Sequence, residues 1–170
     1  MKKVTLVIIM AMLVLAACQE EYNGLYVNSS CSQREYGLVE QAVNKLNNVL
    51  GDEYIDYQVD LAGWDRPARH PDDIDITNDG KDVVYCLSSP TYRGDDKTLG
   101  MSTKYDILVM SYKIKSEREF LFVMMHELVH YIGIEEHVSR SGDIMSDRIT
   151  YPPPQSYTNA DIGFILNNLK

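Results

Sequence analysis

SEREFLFVMMHELVHYIGIEEHVSRSGDIM, residues 116–145, is the stretch on which the reading of this chain turns. It carries the pattern H-E-x-x-H at His126, Glu127 and His130. On a helix, positions i and i+4 share a face with Cβ atoms ~5–6 Å apart, so the two imidazoles can grip one ion. Zinc is the ion such a pair suits, and Glu127 is then placed beside it to act on a water. Helical signals surround the motif. Ser116 followed three residues later by Glu119 has the form of a capping box, Phe120 to Met125 is an apolar run, and Gly133 is a stop signal. A bare H-E-x-x-H also fits an ordinary helix with a surface charge pair, so the flanking residues must decide.

Those residues continue as Tyr131-Ile132-Gly133-Ile134-Glu135-Glu136-His137, then Asp143-Ile144-Met145. The run resembles the metzincin metallopeptidases, whose pattern is H-E-x-x-H-x-x-G-x-x-H followed by a methionine turn. The resemblance implies that Gly133 ends the helix with a positive φ and delivers a third ligand from beyond it. It also implies that Met145 forms an apolar floor under the metal. Counted forward from the glycine, the third-ligand position is Glu136, and snapalysin-like members place a carboxylate there. Counted back from Met145, it is His137, at the interval of matrixin-like members. His137 is favoured and Glu136 is the alternative. The resemblance further implies a pocket wall after the methionine, for which Tyr151 and Pro152 are candidates; a rigid connector is the alternative.

At the other end, residues 1–17 read as two lysines, an unbroken apolar core and small residues, the form of a secretory signal peptide. Leu15-Ala16-Ala17-Cys18 looks like a bacterial lipobox, which marks Cys18 for lipid attachment. The expected location is the bacterial outer membrane, periplasmic or surface-exposed, with the membrane contacted only through the lipid. Cleavage removes two of 16 basic residues and none of 25 acidic ones, leaving a net charge of −11. That balance argues against nucleic acid and against adsorption on anionic lipid. Residues 18–30, polar with Gly and Ser, read as a lipid-anchored linker. Cys31 and Cys86 in an oxidising compartment read as a disulfide closing a loop of about 55 residues, two free thiols being the alternative.

Residues 31–170 are expected to form one catalytic domain. An amphipathic helix over 32–50 has Leu38, Val39, Ala42, Val43, Leu46, Val49 and Leu50 on one face and stops at Gly51. Strands are expected over 54–61, 83–87 and 104–112, with loops over 64–81 and 88–102. His70 and the acidic residues Asp72, Asp73, Asp75, Asp79 and Asp82 fall in or beside the first loop. They read as solvated. An EF-hand fails because its twelfth position is Cys86; another kind of calcium (Ca2+) loop is the weaker alternative. Pro152 to Pro154 make a stiff extended segment. Thr158 with Asp161 caps a last helix whose face is Ile162, Ile165, Leu166 and Leu169.

The expected fold is α/β (α+β), a metzincin-like mixed twisted sheet with a long N-terminal helix, an active-site helix and a C-terminal helix. A cleft is expected beneath an edge strand. The expected function is a lipid-anchored zinc (Zn2+) endopeptidase, monomeric, acting on peptide or protein, with Glu127 as general base. A zinc-binding surface lipoprotein without activity and an amidase of cell-wall peptide are the alternatives.

Overall fold

The computed structural model describes residues 24–51, 54–58, 82–88, 97–103 and 106–169. The signal peptide, Cys18, His70 and Asp72, Asp73, Asp75 and Asp79 lie outside them. The elements run β1 (Leu25–Val27), α1 (Gln33–Leu50), β2 (Tyr57–Gln58), β3 (Asp82–Cys86), β4 (Gly100–Ser102) and β5 (Ile107–Val109). A 3-10 turn (Ser111–Lys113), α2 (Glu117–Tyr131) and α3 (Asn159–Asn168) follow. The strands form one sheet in the order β2-β1-β3-β5-β4. β1 is parallel to β2 and β3, β3 is parallel to β5, and β4 closes one edge antiparallel to β5. The mixed α/β architecture expected from the sequence is the one observed.

Strand alternation divides the core. Leu25, Val27, Val84, Cys86, Ile107 and Val109 face α1 and α2, meeting Val39, Ala42, Val43 and Leu46 of the first helix and Phe120 to Met125 of the second. Val83, Tyr85, Leu87, Leu108 and Met110 form a smaller cluster on the other face. Ser32 caps α1 in a full box with Glu35, and Gly51 ends it with φ +82°. Cys31 and Cys86 are bridged, tying the start of α1 to the end of β3.

The structure departs from the sequence reading at several points. Residues 24–30, read as linker, contain β1 in the interior of the sheet, with Leu25 and Val27 buried. Three residues are too few for a period-2 signal, and their neighbours are polar. β4 lies where an unbroken loop was expected. Of the strand expected over 104–112, the described residues form one over Ile107–Val109, after which the backbone tightens into the 3-10 turn. In α3, Ile165 is buried but Leu166 is 51% exposed, so the inward face is narrower than the apolar pattern.

Candidate metal centre

α2 starts at Ser116, whose hydroxyl accepts from Glu119 N. The expected capping box does not close. Glu119 is only 2% exposed, and its carboxylate accepts instead from Lys115 N and from the Tyr151 hydroxyl at 2.6 Å. At the far end, Gly133 N donates to His130 O and Ile134 N to Val129 O, the paired bonds of a Schellman stop, with Gly133 at φ +95°. The chain then reverses. Val138 N donates to Met145 O at 2.8 Å, and Val138 and Ser146 form a parallel bridge. This pairing sets which side chain after the glycine turns inward.

That side chain is His137. Its Nε2 lies 3.2 Å from His126 Nε2 and 3.1 Å from His130 Nε2, and the last two are 3.0 Å apart. Glu136 is exposed and is not in the cluster. His126 Nδ1 lies 2.7 Å from Ile144 O, and His130 Nδ1 lies 2.7 Å from Ile134 O. Each carbonyl can only accept, so each Nδ1 carries the proton and each Nε2 offers a lone pair. Burial pulls His126 down to about 4, helped by its histidine neighbours and opposed by the Ile144 carbonyl; burial also lowers His130. Bare ring nitrogens this close repel one another unless a cation sits among them. Tetrahedral zinc at ~2.0–2.1 Å from each nitrogen sets them ~3.3 Å apart, so the donor set fits that ion closely.

Glu127 projects beside the cluster from the same helix and is 6% exposed. Burial pushes its carboxyl up to about 8, opposed by a hydrogen bond from the Ser102 backbone. Two cavities, of about 750 and 640 Å³, flank it, and Gly100, His126, Glu127 and His137 line both. They are the two arms of a cleft passing under β4. One arm is walled by Phe122, Val123, Arg148, Ile149 and Tyr151, the other by Tyr131, Gly133 and Glu135. In the β4–β5 ladder, Leu99 O and Thr103 N bond to Met110 N and Asp106 O. Alternation along an antiparallel strand turns the polar groups of Gly100 and Ser102 the other way, toward the cleft.

Met145 is fully buried, and its backbone N–H donates to Asp161 at the start of α3. Asp161 also accepts from Thr158 N and Thr158 Oγ1, so one carboxylate both closes the capping box of α3 and anchors the Met145 backbone. Tyr151 is 67% exposed and stands in the cleft wall; Pro152, also exposed, does not line the cleft. Asp161 was legible only as a cap. Glu119 was likewise legible only as a cap and Gly100 carried no sequence signal, since their observed roles come from segments distant in the chain.

No protein-family model matches the sequence, and no curated protein matches it either. Solved structures do. One is the crystal structure of archaemetzincin from Methanopyrus kandleri, with a TM-score of 0.61 and 13% sequence identity over 89% of this chain and 97% of that one. At that identity, what this chain shares with archaemetzincin is the fold.

Proposed function

We propose that the protein is a zinc-dependent endopeptidase, exported and held on a bacterial membrane by lipid on Cys18. The observation that carries the peptidase reading is the convergence of three histidine Nε2 atoms, within 3.0–3.2 Å of one another, beside a buried glutamate. The archaemetzincin-like fold supports it. His126, His130 and His137 would hold the ion. A bound zinc ion supplies Lewis acidity, lowering the pKa of water toward ~7 and polarising a carbonyl.

The chain's own residues do the rest. Glu127 takes the proton of the attacking water and returns it to the leaving amine. Its burial and its Ser102 N–H donor keep the carboxyl in one place through both transfers. The outward-turned N–H and C=O of Gly100 and the carbonyl of Ser102 offer an edge on which an extended peptide can lie across the metal. Phe122, Val123, Ile149 and Tyr151 give one arm an apolar wall for a substrate side chain. A carboxylate beside a purely structural zinc site would gain nothing from this placement, which favours a hydrolase over a binding module.

The test combines metal analysis with Glu127→Ala. Wild type should bind one zinc per chain and cut members of a mixed peptide pool. The variant should keep the zinc and lose most turnover. Protein without stoichiometric metal, or a variant with unchanged turnover, refutes the reading.

A further inference from the structure

β1 limits how far the catalytic domain can stand from the anchor. Leu25 is fully buried, and β1 is flanked in parallel by β2 and β3, so it cannot be drawn out without opening the sheet. Seven residue steps separate Cys18 from Leu25. A chain spans at most ~3.3–3.6 Å per residue, so Leu25 stays within about 25 Å of Cys18 whatever path it takes. The 13-residue linker suggested by composition would have allowed about 45 Å.

The same strand leads to the site. Leu25 pairs with Asp82 in the parallel register, Asp82 accepts from the Tyr131 hydroxyl, and Tyr131 follows His130 in α2. Tyr131 also lines the cleft arm with Gly133 and Glu135. One strand spacing, one side-chain hydrogen bond and one helix residue thus connect the start of the sheet to the metal cluster, a path on the order of 20 Å. The chain therefore comes into the sheet at the end where the active-site helix terminates, and the cleft lies within about 45 Å of the lipid.

We propose that the substrate is a polypeptide attached to the same membrane and cut in a segment within about 45 Å of the bilayer. This rests on the reading of Cys18 as the lipid site and of the cleft as a peptidase. Two molecules tethered to one surface meet at an effective concentration set by their tethers, in the millimolar range for short ones, which a dilute soluble protein does not match. The short tether turns that advantage into a height restriction. The strongly acidic surface adds to it by disfavouring adsorption on anionic lipid, so the tether sets the height.

The test uses the full-length lipidated protein in vesicles of phosphatidylethanolamine and phosphatidylglycerol. Lipid-anchored reporters carry a mixed decapeptide pool on polyproline spacers of about 2, 5 and 25 residues, or about 6, 15 and 80 Å. Products are read by mass spectrometry. Cleavage should be similar on the two shorter spacers and at least tenfold slower on the longest. Inserting 30 Gly/Ser residues after Gln19 should restore cleavage of the longest. Cleavage indifferent to spacer length, or unmoved by the insertion, overturns the proposal. The same mixed pool free in solution separates the failures: turnover there without height dependence overturns the substrate assignment and leaves the peptidase standing. No turnover on any pool overturns both. Absence of lipid on the intact mass of the protein overturns the anchor and the height restriction with it.

Discussion

Gly100→Ala isolates the fit between the edge strand and the glutamate. A Cβ at residue 100 would lie 2.6 Å from Glu127 Oε1, 2.7 Å from Val123 Cγ1 and 2.8 Å from Glu127 Cγ, where ordinary contact begins at 3.4 Å. About 0.8 Å must therefore be found. Val123 cannot supply it, because a valine in mid-helix is held in one χ1 rotamer. The movement falls on Glu127 or on β4, which donates the Ser102 N–H to it. Misplacing a catalytic group by ~1 Å can cost about 10²-fold in rate, equivalent to about 2.7 kcal/mol of barrier. The expected outcome is a kcat lower by about 10²-fold, with zinc content unchanged, since the Ile144 and Ile134 carbonyls that orient His126 and His130 are untouched. Overpacking should also lower stability by about 1–3 kcal/mol. Gly37→Ala is the control: nothing lies within 4 Å of its Cβ, so activity should not change. The assay is initial-rate hydrolysis of one peptide recovered from the mixed pool, with metal content and urea unfolding on the same samples. A Gly100→Ala enzyme whose kcat stays within threefold of wild type refutes the claim that β4 positions Glu127.

Three further outcomes follow from the same geometry. Asp161→Ala strips the buried Met145 N–H of its partner and opens the capping box of α3 while the Thr158 cap itself remains, so the urea midpoint should fall by an amount worth about 2–3 kcal/mol, and zinc affinity should weaken about tenfold because Ile144 orients His126. Replacing Cys31 and Cys86 by alanine opens a loop of 55 residues and should cost up to about 4 kcal/mol in denaturant unfolding; an unchanged midpoint would show the bridge does not constrain the unfolded chain. For metal-free Glu127→Gln protein, in which the raised Glu127 carboxyl no longer titrates in the opposite sense, His126 is held near 4 in the fold against 6.5 unfolded, so between those values the unfolded chain binds more protons. Stability is then fully present above about 6.5 and falls as pH drops toward about 4, measured by unfolding at fixed salt after chelation. A flat profile across that window would place His126 in contact with water.

What the amino-acid sequence determined by itself was local. α1, α2 and α3 and their caps at Ser32, Ser116 and Thr158 follow from 3.6-residue periodicity and from side chains bonding backbone within a few residues. His126, Glu127 and His130 belong to the same class, since one helical turn relates them. Tertiary structure decided whatever depends on two distant segments meeting. β1 is three residues in a polar stretch and becomes a strand because β2 and β3 offer it hydrogen bonds on both sides. Glu119 left its capping box for the Tyr151 hydroxyl, 32 residues away. The choice of His137 over Glu136 was one residue of register after Gly133, and the Val138–Met145 hydrogen bond set it. Spacing along a chain can specify a helix face, but the orientation of a side chain beyond a bend is fixed by the partner against which the bend closes.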